Sequence, residues 1–324
     1  MKHLVSVVGF CLGLSWAFGD GYLWFSAASA SQTAQIYRYN LRTGQIDRTV
    51  APGNWGFVQS RDYNLLAYDG NDLYVGLEND RTLLKVNPYT GAFRSAFGYQ
   101  MCNCFYGHHW MKDGTFYAGE LWRAAPAHHP SSPGILHVSA PNGLPTNVFY
   151  AMERPDLQPI GIEWVGDVLL MTTADGLHRV NFPDEPLVFG AVQYALSGVP
   201  GGHTLGGLAY DSARDTLYLA SADSNGATLW RVQLDHEAQT AHATPVEQLT
   251  LKGYPAGRQP TALGWVPARA GDANDDGCVD DADLLQALFA FGNNDPASDL
   301  NRDGIVDDAD LLEVLFAFGD GCQG

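Results

Sequence analysis

Two stretches near the end of the chain carry acidic residues at spacings with chemical meaning. Asp272, Asn274, Asp276, Asp280 and Asp283 fall at positions 1, 3, 5, 9 and 12 of a twelve-residue loop, with Gly277 at position 6. Asp299, Asn301, Asp303, Asp307 and Asp310 repeat the pattern, with Gly304 at position 6. A hard divalent cation takes six or more oxygens at short range. Side chains at 1, 3 and 5 converge when the loop curls, and Gly at 6 permits the sharp turn. The backbone carbonyls of Cys278 and Ile305, at position 7, complete that side. The implied chemistry is Ca2+ binding, two ions in all.

Each loop runs into an apolar octet, LLQALFAF or LLEVLFAF. Between Asp272–Gly292 and Asp299–Gly319, 16 of 21 residues are identical. Leu284, Leu285, Leu288 and Phe289 recur at helical spacing, as do Leu311, Leu312, Leu315 and Phe316. Two short helices are expected, ending at Gly292 and Gly319 and burying their faces against each other. Val279 and Val306, at position 8, are expected to pair as a short bridge between the loops. Cys278 and Cys322 lie toward the two ends of this segment. If the halves pack as a pair, those ends meet, and a Cys278–Cys322 disulfide staples a domain of about 50 residues, a size that needs staples. Without calcium the carboxylates repel, so folding of this segment should be coupled to metal.

Paired loops of the form D-x-N-x-D-G-x-V-D-x-x-D, with Asp at position 12 and only a following helix, resemble dockerin type I modules. The resemblance covers roughly residues 271–322. It implies calcium binding and a cohesin-like or cell-surface protein as partner. In that family, positions 10 and 11 help select the partner; here they are Asp281 and Ala282, then Asp308 and Ala309. The same pair twice preserves a near two-fold symmetry. The chain departs from the family in having no basic pair in either helix and no Pro/Thr-rich linker before the module. A cell-surface or self-assembly module of the same shape is the alternative.

The rest of the chain must be read as the element that carries this tail. The net charge is −18, and residues 271–324, with 13 Asp, one Glu and one Arg, supply −13 of it. That asymmetry points to a cation-binding tail and away from nucleic acid. Charged residues make up only 17% of the chain, against 36 Gly and 12% aromatics, which suits an all-β body with many turns. Lys2, the apolar run Leu4–Phe18 and the small residues Ala17 and Gly19 read as a secretory signal peptide, residues 1–19. No other segment approaches membrane-spanning length, so the expected location is secreted, extracellular or cell-surface. Cys11 leaves with the signal. Cys102 and Cys104 remain in the body, as a strained bridge or a metal site.

The body, residues 20–268, carries a strand-like motif five times, centred on Arg38, Lys85, His137, Arg179 and Arg231. Ahead of each lies a second strand (22–27, 73–78, 116–121, 169–174, 217–222). Ahead of four of these lies a third (65–70, 105–110, 160–165, 205–211). The fifth copy of this third strand comes last, as TALGWV at 261–266. This is the pattern of a circular β-propeller of five blades whose C-terminal strand closes the first blade. The fold class is therefore mainly β, a propeller followed by a small α-helical paired-loop domain (269–324). A β-sandwich is the rival fold, but it does not predict the late copy.

Propeller ligands bind at the rim of the central channel. The loops expected there hold Trp55, Tyr99, Arg154, His203, Tyr254 and Arg258. A long insertion, 122–134, adds Trp122, Arg123, His128 and His129. Aromatics with Arg and His suit a carbohydrate or peptide ligand. His108 and His109 sit on an expected inner strand and point to opposite faces. The recurring basic residues read as structural. Catalysis is disfavoured: the inner strands offer Glu163 and little else, Asp69, Asp167 and Asp211 read as turn residues, and no G-x-S-x-G, Walker or H-E-x-x-H motif occurs. The leading expectation is a secreted binding or display propeller tethered by its tail. The alternative is an extracellular polysaccharide-degrading enzyme, a glycoside hydrolase or lyase, with the same tether.

Overall fold

The computed structural model describes residues 21–27, 35–51, 63–77, 82–98, 113–125, 135–139, 145–154, 157–182, 188–223, 226–247 and 260–322. Residues 1–19, Cys102, Cys104, His108 and His109 lie outside them.

Strands β1 (Gly21–Ala27), β2 (Ile36–Asn40) and β3 (Gln45–Val50) run antiparallel in sequence order. A second meander follows: β4 (Tyr63–Tyr68), β5 (Leu73–Leu77), β6 (Thr82–Val86) and β7 (Phe93–Gly98). The repeated NLRTG and NPYTG turns have one cause. Asn40 Oδ1 accepts Arg42 N–H at 2.9 Å and Asn87 Oδ1 accepts Tyr89 N–H at 2.8 Å. Gly44 and Gly91 close the two turns at φ +66° and +71°, where a Cβ is disfavoured.

The third meander is β8 (Asp113–Tyr117), β9 (Glu120–Ala125), β10 (Ile135–Ser139) and β11 (Pro145–Met152). The fourth is β12 (Gly161–Val165), β13 (Val168–Thr173), β14 (Gly176–Asn181) and β15 (Val188–Gln193). Their last strands, β11 and β15, pair in parallel, so the two meanders share one eight-stranded sheet. The short β16 (Ala195–Ser197) then flanks the meander β17 (Thr204–Asp211), β18 (Thr216–Asp223), β19 (Gly226–Asp235) and β20 (Thr240–Glu247). Finally β21 (Pro260–Pro267) returns to pair antiparallel with β1. The late TALGWV copy thus closes the first sheet.

The innermost strands pack in a closed ring: β21 against β4, β4 against β8, β8 against β12, β12 against β17, and β17 against β21. This is a β-propeller. Each meander is sandwiched between two others, so both faces of its strands are buried. Leu23 and Phe25 of β1 join Ala209, Tyr218 and Leu229 in one core. Their neighbours Tyr22 and Trp24 point the other way, into a core with Leu66, Val75 and Leu84. Burial on both faces explains why the sequence shows continuous apolar runs rather than strict alternation.

The expected strand over 116–121 is corrected. A hairpin turn at Ala118 and Gly119, with φ +53° and +79°, splits it between β8 and β9. β8 is therefore the inner strand of its meander. Trp122 and Arg123, expected in a loop, lie in β9 and are buried at 9% and 1% exposure.

Past β21 come helices α1 (Asp281–Ala290) and α2 (Asp308–Ala317). They meet through a small core of Val279, Ala287, Leu300 and Val314, with Leu284 and Leu311 packed beside it. The expected helical faces are corrected: of the apolar residues that define them only Leu284 and Leu311 pack at this core, while Leu285, Leu288, Phe289, Leu312, Leu315 and Phe316 are exposed. The valines do not pair with each other either. Val279 N–H donates to Asp320 O at 3.0 Å and Val279 O accepts Gly319 N–H at 2.8 Å. Val306 makes the matching pair with Asn293 and Gly292. Each loop therefore closes the end of the other half's helix. Among the described residues no helix is long and apolar enough to cross a membrane.

Inner strands approach so closely that Cβ atoms have no room. A Cβ on Gly207 would lie 2.4 Å from Leu263 N, a backbone atom that cannot swing away. Gly207→Ala should cost about 1–3 kcal/mol as overpacking, read as a lowered urea midpoint. Gly201→Ala, with nothing within 4 Å of its Cβ, should change stability by less than about 0.5 kcal/mol.

Candidate functional site

In the tail the two loops are built alike. Asp280 and Asp307 cap their helices, accepting Ala282 N–H and Ala309 N–H at 2.8 Å. Asp283 and Asp310 reach back and accept Asp280 N–H and Asp307 N–H at 2.8 Å. These are reciprocal capping boxes. The other oxygen of Asp283 accepts Ala273 N–H and Asn274 N–H at 2.8 and 3.0 Å. Asp272 accepts Asp276 N–H and Gly277 N–H at 3.1 and 2.8 Å. Asn274 and Asn301 accept the amides of Asp276 and Asp303, each at 2.9 Å.

The loops fit a cation in two respects. Asp299 is 7% exposed, yet its Oδ1 has no hydrogen-bond partner. Burial pushes the Asp272 carboxyl up to about 7; Asp275, Asp283 and Asp276 push the same way, against a hydrogen bond from Gly277 N–H. Repulsion among gathered carboxylates is what a cation relieves. Among the described residues, however, no three His, Cys, Asp or Glu side chains form a finished metal cage. Their oxygens are turned onto loop amides instead. The expected disulfide is present, joining Cys278 to Cys322 across a Cα–Cα distance of 4.4 Å. Asp281, Ala282, Asp308 and Ala309 are all exposed on the first helical turns.

In the propeller, the inner ring holds one carboxylate expected from the sequence and one missed. Asp113, in β8, is fully buried; its Oδ2 accepts Ile162 N–H of β12 at 3.1 Å, while Oδ1 has no partner within hydrogen-bond distance. Glu163, in β12, accepts the Thr115 hydroxyl of β8 and Trp164 N–H. Burial raises both carboxyls, Glu163 to about 8, and the nearby charge of Glu163 raises Asp113 further. The backbone amides of Leu208 and Tyr210, in β17, favour the charged forms. The pair thus ties β8 to β12. Asp113 precedes Gly114, so in the sequence it resembles a turn.

The expected rim residues divide. Trp55, Tyr99, His128, His129, Tyr254 and Arg258 lie outside the described residues. Arg154 is exposed. His203 lines a cleft with Asp175, Gln193, Tyr194 and Leu205, just before β17. Its Nδ1 lies 2.9 Å from Ser221 Oγ and its Nε2 lies 3.8 Å from Asp223. This trio does not present a nucleophile: Ser221 is fully buried and its Oγ already accepts Trp230 Nε1–H at 2.7 Å. Asp69 and Asp211 behave as turn residues, accepting Asp72 N–H at 2.7 Å and Ala213 N–H at 3.0 Å. Two of the recurring basic residues are held in structural contacts, while Arg179 is exposed. Lys85 sits 3.3 Å from Asp72 and over the Tyr74 ring; Arg38 is clamped by Asp47 at 2.8 and 2.7 Å.

The inner carboxyls set a pH dependence. Glu163 holds its proton to about pH 8 in the folded chain, but only to about 4.3 when unfolded. Its stabilising share is complete below that lower value and is lost as pH rises toward about 8. Glu163→Gln removes this titration. The variant should gain stability relative to the parent between pH 5 and pH 9, read as the difference in urea midpoints. An unchanged difference at the two pH values would refute the assignment.

No family model matches the chain, and no curated protein matches it. Solved structures do. It is similar to Myxococcus xanthus glutaminyl cyclase at 14% identity, over 64% of this chain and 85% of that one, with a TM-score of 0.44. It is similar to a protein of unknown function from Bacteroides caccae at 14% identity, over 72% and 73%, with a TM-score of 0.40. The major Malassezia sympodialis allergen Mala s 1 matches at 11%, over 72% and 77%, with a TM-score of 0.41. The propeller assignment rests on strand order and the inner ring, not on these scores.

Proposed function

We propose that the chain is an exported, calcium-binding propeller used for binding or display, attached through its tail to an extracellular or cell-surface assembly. In this reading the eight-stranded sheet counts as two blades, which makes five, one for each strand of the inner ring. The tail is a dockerin-like module whose loops hold one Ca2+ each. Asp272, Asn274, Asp276, Asp280 and Asp283 with the Cys278 carbonyl would hold the first; Asp299, Asn301, Asp303, Asp307 and Asp310 with the Ile305 carbonyl, the second. The observation that carries the reading is the pair of like-built loops, each with buried carboxylates and each followed by a helix with an exposed apolar face. A cohesin-like or other cell-surface protein is the partner class it suggests, with a carbohydrate or peptide as the propeller's ligand.

The second reading, a polysaccharide-degrading enzyme, draws on Asp113 and Glu163. Glycoside hydrolysis needs two carboxyl groups open to the sugar. Here Asp113 is fully buried, and both accept hydrogen bonds that join inner strands. Binding is therefore the better-supported role.

Calcium titrated into the metal-free full chain should give heat for two ions and a gain in helical signal. Asp310→Ala should weaken the second site by about tenfold or more, since affinity follows ligand charge, and leave the first. Absence of heat and of helical gain would sink the calcium reading.

A further inference from the structure

The two acidic loops differ most sharply at position 4, Asp275 in the first and Arg302 in the second. Both have left-handed backbones, at φ +59° and +62°. Their surroundings differ. Asp275 is 7% exposed. Its Oδ1 accepts the Tyr22 hydroxyl, and its Oδ2 accepts Asn40 Nδ2–H at 2.7 Å. Its carbonyl accepts Arg38 Nη1–H at 3.1 Å and Arg48 Nη2–H at 3.2 Å. Arg38 is in turn fixed by Asp47 and lies over the Tyr22 ring. Gly277, at position 6, sits on Tyr89 so tightly that a Cβ would come within 2.4 Å of the ring. In the second loop Asn301, Asp303, Gly304 and Ile305 are exposed.

We propose that the first loop is two-sided: its inner oxygens take Ca2+, its outer edge takes the propeller, and cation loading therefore stabilises the propeller. Asp272, Asn274 and Asp276 alternate with Asp275 along one short backbone. The dihedrals that aim the first three inward also aim Asp275 at its seat. Without the cation, repulsion among the inner carboxylates opposes that conformation and so opposes docking. Two events that need one conformation favour each other reciprocally. The inference rests on the calcium reading above.

The full chain supplies separate readouts. Every tryptophan precedes the tail, so tryptophan fluorescence follows the propeller alone. Calcium at 100-fold over its Kd should raise the tryptophan-monitored Tm by about 4 °C for a chain of this size. Asp275→Ala should abolish most of that rise while calorimetry still counts two ions. Arg302→Ala should keep it. Where Asp275→Ala does not fold, Arg48→Ala, which removes one donor to the Asp275 carbonyl, should reduce the rise. Two bound ions with no rise in the parent chain would overturn the coupling alone, as would a full rise in Asp275→Ala or Arg48→Ala. No heat of binding would overturn the calcium reading and the coupling with it.

Discussion

The pairing of β21 with β1 is the contact on which the rest of the molecule depends. It joins Leu23 to Trp265, Trp24 to Gly264 and Phe25 to Leu263 across about 240 residues of chain. Closing such a loop costs on the order of 5 kcal/mol in chain entropy. The side chains that offset it are among the most buried: Tyr22, Leu23, Trp24 and Phe25 are at most 1% exposed, as are Leu263 and Val266. They also divide between two cores, Leu23 and Phe25 toward β17–β20, Tyr22 and Trp24 toward β4–β7. Without this strand the first sheet would lose its inner member and the ring would open. The same closure brings the chain back beside β1 and β2. The tail that follows Pro267 therefore meets Tyr22, Arg38, Asn40 and Arg48 of the first meander and Tyr89 of the second.

A ring of this kind has a polar problem at its centre. Neighbouring inner strands belong to different meanders, so no backbone ladder joins them where they touch. Amides on such edges need acceptors. Asp113 reaches from β8 to accept the Ile162 amide of β12, and Glu163 reaches back from β12 to accept the Thr115 hydroxyl of β8. Thr172 does the same between β13 and β17, its hydroxyl donating to Gly206 O at 2.6 Å while accepting Gly161 N–H at 2.9 Å. The raised carboxyls are the cost of placing acceptors in so dry a position. Glycines at 161 and 207 let the backbones come near enough for these short side chains to span the gap.

Much of this was legible because it repeats. Basic-centred strands, NLRTG and NPYTG turns and a displaced last copy expose the blade unit and its closure before any coordinates. What repeats weakly was not legible. The hairpin at Ala118 and Gly119 needs a positive φ at Ala118, a conformation that alanine does not advertise. Missing that turn moved Trp122 and Arg123 from a buried strand to a loop, and left Asp113 outside the inner strand expected over 105–110. In the tail, the repeat announced the two helices and the Cys278–Cys322 bridge, but not the way each loop closes the opposite helix. Two near-identical halves leave open which valine pairs with which backbone. The departure from repetition, Asp275 against Arg302, was visible but had no meaning until its seat was known.

That departure bears on how the tail faces outward. The docked edge of the first loop carries Asp275 and Gly277, whereas the near two-fold related surface lies on the helices. Phe289 is 84% exposed and Phe316 is 85% exposed, and the Asp-Ala pairs at 281–282 and 308–309 are both open. Specialisation of the first loop toward the propeller is therefore confined to positions that do not belong to the repeated helical face. One loop edge fixes the tail to the body, and the helices present the same exposed residues twice.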